Sequence, residues 1–313
     1  MLEHAGRVFD GQQLQEGDGS KSIAMVPITG VITSGDSVPS SGSTGSEDTI
    51  ALLEAIRHSG DFDGVILEVD SPGGGVLASS EIADEIRRVR KDGIKVVAWM
   101  REMAASGGYY VSAGADRIVA SPETITGSIG VILKMYDATG LAKKVGVTEV
   151  NITSGPLKDM GTPFKKLSPE ARAVLQELVD ESYTGFVQVV SNGRDIPEAR
   201  VRKLADGRIY TGTQARELGL VDTLGLRAEA YRQMASLVHV HRGSQLEVVT
   251  YSPQVGFLDA LGVATAHWNP SAVVQLIGNR ISGADGITGS AAHQGLDAMA
   301  NPGFRLEYRM VVQ

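Results

Sequence analysis

Val65-Ile66-Leu67-Glu68-Val69-Asp70-Ser71-Pro72-Gly73-Gly74-Gly75 decides the fold. Its first five residues are a short apolar run, the pattern of a strand buried on both faces. The glycines end that run. Residues 76–90 then carry Ile82, Ile86 and Val89 at a spacing that buries one side of a helix. Strand, glycine turn and amphipathic helix make one βα unit.

The unit recurs along the chain. Residues 22–32 read as a strand, and Ile50, Leu53 and Ile56 share one helical face. Residues 95–100 read as another strand, followed by a short helix from about Ser106 to Ala113. Short strands are expected at 117–120 and 129–132, a helix at 141–145 and a strand at 147–152. Ser168 followed by Pro169 has the form of an N-cap and first helical position. The long helix they open keeps Val174, Leu178, Phe186 and Val190 on its apolar side, to about Asn192. Short helices and turns fill 197–240, and residues 246–251 suggest a late strand. The alternation gives an α/β fold with a largely parallel sheet. Active groups in such folds gather where strand ends meet helix N-termini.

Three segments follow: a polar, poorly ordered start at 1–21, a main domain at 22–240 and a C-terminal extension at 241–313. Within the extension, 280–303 is rich in Gly, Ala and Ser and reads as loosely packed.

Composition narrows the function classes. The chain has 313 residues, 42% hydrophobic and 21% charged, ample for a full core. A net charge of −8 and no basic stripe give no reason to expect nucleic acid as a partner. There is no cysteine, which excludes a thiol nucleophile, a thiolate zinc site and disulfides. No apolar run approaches the ~20 residues that span a bilayer, and the start lacks the pattern of a signal peptide. His239 and His241 alternate as on a strand without a metal-ligand set, so neither metal nor cofactor is expected.

The chemistry centres on Met103-Ala104-Ala105-Ser106-Gly107-Gly108-Tyr109-Tyr110. A serine hydroxyl needs a base to become a nucleophile, and it needs exposure, which small neighbours on a sharp turn provide. A helix beginning there aims free N–H groups at its oxygen. A plain N-cap serine has the same local sequence. Gly73, Gly74 and Gly75 can turn backbone donors toward a tetrahedral oxyanion, or can simply make the strand-to-helix turn. A phosphate loop would continue into Gly-Lys-Ser/Thr, and this one does not.

No histidine lies between His58 and His239, where all the candidate loops sit. A Ser-His-Asp arrangement is thereby reduced, though a distant histidine can still fold in. Lys158, in Ser154-Gly155-Pro156-Leu157-Lys158, is the best base in reach. A lysine base has to work as the neutral amine, which asks for a buried, apolar setting. Most lysines are ordinary surface residues. Ser128, in Thr126-Gly127-Ser128-Ile129-Gly130, can orient such an amine or serve as a turn residue.

These stretches together resemble the bacterial signal peptide peptidase A family. So does Ala205-Asp206-Gly207-Arg208-Ile209-Tyr210-Thr211-Gly212, continuing to Gly219-Leu220-Val221-Asp222. The likeness covers about 22–240, which makes that segment the peptidase catalytic domain. It implies a caseinolytic protease/crotonase-like fold of repeated ββα units. It implies a serine–lysine dyad of Ser106 and Lys158, an oxyanion N–H from Gly73, and Ser128 holding the lysine. Gly74, Gly75, Gly107 and Gly127 would contact the substrate. The implied reaction is endoproteolysis of cleaved signal peptides and other extended apolar peptides, in or near the membrane. Short members assemble as rings, in which adjacent subunits can share the dyad. The family is usually membrane-anchored with an extracytoplasmic catalytic domain, whereas this chain shows no transmembrane segment. The end of the chain, 305–313, is placed to reach a neighbour's groove. Two other readings compete: a crotonase-type enzyme acting on acyl-CoA, and a scaffold that has lost its chemistry. Neither accounts for Ser106 paired with the Lys158 loop.

Overall fold

The computed structural model describes residues 1–4, 6–18, 20–37, 42–240, 245–253 and 306–309. The chain divides into two compact units. The larger takes Met1–Lys134, Pro169–Gln254 and Leu306–Gln313; of the second, residues 135–168 are described.

The larger unit begins with β1 (Leu2–His4), β2 (Arg7–Gln15), β3 (Ser22–Thr33), β4 (Thr44–Gly45) and α1 (Ser46–Ser59). It continues through β5 (Gly64–Gly75), α2 (Val76–Lys91), β6 (Lys95–Ala105), α3 (Gly107–Ala113), β7 (Arg117–Ala120), β8 (Ile125–Gly127) and β9 (Ile132–Leu133). Helix α4 (Thr139–Val145) belongs to the second unit. The chain then re-enters the larger unit as α5 (Pro169–Arg194), α6 (Glu198–Leu204), β10 (Ile209–Thr211), α7 (Gly212–Leu218), β11 (Thr223–Leu224) and α8 (Arg227–Leu237). Strands β12 (Glu247–Pro253) and β13 (Leu306–Arg309) complete it.

One mixed sheet organises this unit, in the order β1-β2-β12-β3-β5-β6-β7-β11. Its centre, β12-β3-β5-β6-β7-β11, is parallel throughout. Both faces are covered, and this is why the central strands are continuous apolar runs. Ala24, Val26, Val65, Leu67, Val96 and Ala98 point into the core under α1, α2, α3 and α5. The alternate residues Ile23, Met25, Ile66, Val97 and Trp99 meet Ala230, Met234 and Val238 on or beside α8. Each such Val, Leu, Ile or Met side chain contributes about 1.5–3 kcal/mol by leaving water.

Several expectations change. Residues 2–4 and 7–15 are strands, and Phe9 is fully buried. The polar composition there belongs to an outer strand with one solvated face: β2 pairs antiparallel with β12, which in turn lies beside β3. The late strand is therefore an integral part of the main sheet. Residues 129–131 form no strand; the pairing segments are β8 and β9 on either side. Residues 147–152 form none either, and Val147, Val150 and Ile152 are exposed, so their alternation does not record burial against a sheet. On α5, Leu175 takes the buried position expected of Leu178, which is exposed. The expectation for 280–303 lies outside the described residues.

Candidate active site

The glycine run is the end of β5 rather than a turn after it; α2 starts directly at Val76. Up to Val69, β5 runs in register with β6, but beyond Ser71 the two separate. The end of β6 then pairs in parallel with β8, matching Ala104 to Thr126 and Ala105 to Gly127. Gly73 and Gly74 pair on one side with Val31 and Ile32 of β3, and Gly73, Gly74 and Gly75 pair on the other, antiparallel, with Arg309, Tyr308 and Glu307 of β13. Glycine is needed at 74, where a Cβ would stand 1.9 Å from the Ile32 carbonyl oxygen.

Ser106 lies where β6 passes into α3. Its backbone has φ 52° and ψ −114°, and its side chain accepts no bond from the helix it precedes. That separates it from an ordinary capping serine, whose backbone is extended and whose oxygen is engaged. Such a conformation costs about 1–3 kcal/mol in a residue other than glycine and persists only where its surroundings hold it. The hold is visible: Ser106 N–H donates to the Gly127 carbonyl at 2.8 Å, and the Ser106 carbonyl accepts from Tyr110 N–H at 2.8 Å. The hydroxyl is fully buried and has no hydrogen-bond partner among the described residues. Gly107 and Gly108 bring α3 directly onto β5. A Cβ at 108 would meet the Ser71 carbonyl oxygen at 2.7 Å, and one at 107 would meet Gly74 N at 3.0 Å.

Ser128 stands at the end of β8, next to the carbonyl that holds Ser106. It too has positive φ, 49°, and its N–H donates to the Arg208 carbonyl at 2.7 Å. Among the described residues only Asp195 and His239 share this property with the two serines, glycines aside. Gly127, with φ 79°, leaves room for the Tyr210 ring, which a Cβ would approach to 2.5 Å. The Tyr210 hydroxyl in turn donates to Leu204 O at 2.9 Å. The segment around Arg208 and Tyr210 therefore supports the Ser128 turn from β10, which pairs with β8.

Ser106, Ser128, Gly73, Gly74, Gly75, Gly107 and Gly127 all belong to the larger unit, at the ends of β5, β6 and β8. Lys158 belongs to the second unit. It is exposed, on a turn whose Lys158 N–H donates to Gly155 O at 3.2 Å, near an Asp159–Lys165 ion pair of 2.9 Å. Ser71 was not singled out from the sequence and proves central. Its Oγ donates to Gly30 O at 2.6 Å and accepts the Gly73 N–H at 3.0 Å. The only hint was its place at the head of the glycine run. Among the described residues no cluster of acidic or histidine side chains could hold a metal ion.

A buried serine on a strained strand-to-helix turn is an arrangement that acyl-transfer enzymes use. Comparison with known proteins agrees. Residues 88–241 match the profile of peptidase family S49. A putative signal peptide peptidase SppA of Enterococcus faecium is 41% identical over 261 residues, covering 82% of this chain and 75% of that protein. A putative protease of Synechocystis sp. is 41% identical over 219 residues, covering 69% and 74%. The chloroplastic serine protease SPPA of Arabidopsis thaliana is 33% identical over 181 residues, 58% of this chain and 27% of that one. Likeness over most of the chain, in proteins named as peptidases, decides against the acyl-CoA and scaffold readings: the chain belongs to peptidase family S49 and is a serine peptidase.

Proposed function

We propose that this peptidase is an endopeptidase with a Ser/Lys dyad. Ser106 attacks the scissile carbonyl, and Lys158 takes the serine proton and passes it to the leaving amine. Water, activated by the same amine, then hydrolyses the acyl-enzyme. The Ser106 side chain carries the reading: a buried hydroxyl without a partner, on a strained turn, in a serine peptidase. Backbone N–H groups of the glycine run and of Gly107 meet the oxyanion, each worth about 3–4 kcal/mol. Gly73 is the principal donor in this reading, and its bond to Ser71 Oγ opens when the oxyanion forms. Ser128 orients the lysine, supported by its place directly after β8, whose Gly127 carbonyl holds Ser106. Successive βα units on one parallel sheet support a caseinolytic protease/crotonase-like fold.

The substrates are extended apolar peptides, cleaved signal peptides among them, met at the membrane by an extracytoplasmic catalytic domain. The name of the Enterococcus relative supports that class. Strand β13 supports the binding mode: it lies antiparallel on Gly73–Gly75 and on β9, as an added peptide backbone would. Gly74, Gly75, Gly107 and Gly127 allow the close approach. Among the described residues no helix is long and apolar enough to cross a membrane.

Assembly into a ring, with Ser106 and Lys158 of one site supplied by adjacent subunits, completes the reading. The second unit exposes Tyr136, Leu141, Val145, Val150 and Ile152 within a short stretch that also bears Lys158. An apolar surface of that density is the mark of an interface. Activity then falls on dilution through the assembly constant; full specific activity from a verified monomer refutes the shared dyad.

The deciding experiment incubates the purified protein with signal-peptide-like and soluble unstructured peptides, beside Ser106→Ala and Lys158→Ala. Cleavage lost in both variants establishes the dyad. Loss in Ser106→Ala alone assigns the base elsewhere.

A further inference from the structure

Ser79, on α2 and one turn beyond the glycine run, is fully buried, and its Oγ has no hydrogen-bond partner among the described residues. Helical serines ordinarily return the hydroxyl to their own helix. Here Ser80 Oγ donates to Leu77 O at 2.8 Å, and Ser112 Oγ to Gly108 O at 2.7 Å. Ser79 instead faces the start of α3. Its oxygen is 2.6 Å from the position a Cβ on Gly107 would take, and that same position is 3.0 Å from Gly74 N and 3.1 Å from Gly73 Cα. A hydroxyl, a donor and acceptor at once, thus shares with the Gly73–Gly74 peptide the space left by the missing Cβ of Gly107, the residue that follows the nucleophile.

The opposite end of this peptide region is held by another serine. Ser71 Oγ accepts the Gly73 N–H at 3.0 Å, which occupies the donor assigned to the oxyanion. Turning that N–H toward an oxyanion requires the glycine strand to shift. A shifted strand needs a new anchor, and Ser79 is the buried polar group next to it without another bond.

We propose that Ser79 is a positioning residue of the oxyanion site. Its hydroxyl bonds the Gly73–Gly74 peptide once Gly73 N–H has left Ser71, and it fixes the strand with that donor aimed at the tetrahedral centre. The bond is absent from the resting enzyme and present in the transition state, so it acts on kcat and leaves ground-state binding alone. The proposal rests on Ser106 as nucleophile.

The test compares Ser79→Ala, Ser79→Cys and Ser79→Thr with the parent in hydrolysis of an apolar reporter peptide. Affinity for a peptide boronate, which becomes tetrahedral on the serine, and thermal unfolding are measured in parallel. The expected result for Ser79→Ala is a kcat about 10–100-fold lower, an unchanged KM, a matching loss of boronate affinity and an unfolding temperature no lower than the parent's. Ser79→Cys, which loses the strong hydrogen bond at similar size, behaves alike if the alanine variant fails to fold. Ser79→Thr, which keeps the hydroxyl, recovers at least part of kcat. Ser106-dependent hydrolysis with the parent's kcat in Ser79→Ala overturns the role of Ser79 alone. Hydrolysis that survives Ser106→Ala overturns the nucleophile and the role of Ser79 with it.

Discussion

Replacing Ser106 with alanine stabilises this protein while it abolishes hydrolysis. The hydroxyl is fully buried with no partner among the described residues, and such a group costs about 1–3 kcal/mol for lost hydration. Alanine keeps the Cβ and removes the polar atom without opening a cavity larger than that atom. The expected gain is about 1–2 kcal/mol. The strained backbone at φ 52° remains in the alanine variant. Glycine relieves it too, a further gain of about 1–3 kcal/mol. Glycine's greater chain entropy when unfolded opposes this by about 0.5–1 kcal/mol. The order of stability is then Ser106→Gly, Ser106→Ala, parent. For a chain of this size 1 kcal/mol moves the unfolding temperature by about 2–4 °C. Urea titration and thermal unfolding measure the gain, with an unchanged m-value showing that the same surface unfolds in each variant. An alanine variant less stable than the parent refutes the reasoning, because the hydroxyl would then have a partner in the resting enzyme. A glycine variant no more stable than alanine refutes the strain at this turn.

Three further outcomes follow from the same geometry. Lys158→Arg is as inactive as Lys158→Ala, since a guanidinium cannot give up its proton to act as base; an active arginine variant makes position 158 a charge rather than a base. Deleting residues 306–313 frees the Gly73–Gly75 edge that β13 pairs with, so KM for peptides falls at unchanged kcat in steady-state assays; an unchanged KM separates that edge from the substrate path. Burial pushes the Tyr109 phenol above its ordinary value, so the unfolded chain releases this proton first. Its contribution to stability is complete below about pH 10 and declines above that by up to about 1.4 kcal/mol per pH unit. Tyr109→Phe therefore flattens the alkaline limb of a stability–pH curve and, by losing the 2.9 Å bond to Leu220 O, costs about 1 kcal/mol at neutral pH. An alkaline limb as steep as the parent's refutes the assignment.

What the sequence discloses depends on how far apart the cooperating residues lie. Strands β3, β5 and β6 are buried on both faces, so each announces itself within a few residues, and so do the helices that cover them. Strand β2 hides because only one of its faces is buried, and its pairing partner β12 arrives more than 230 residues later. The same distinction divides the site. Ser106 is legible because the serine, its small neighbours and the helix start are contiguous. The residues that hold the turn are not. Ser71 acts on Gly30, Gly127 on Ser106, Arg208 on Ser128, and Ser79 faces Gly107; each pair is joined only by the fold. Each acts through its backbone or a small side chain, so no charge or aromatic pattern marks the contact. The glycine run shows the cost of reading locally. Its residues look like a turn because glycine makes turns, yet here they are strand residues: the missing side chain of Gly74 admits β3, and those of Gly107 and Gly108 let α3 lie against the run. Glycine reports that something comes close; which surface comes close is a property of the packed sheet.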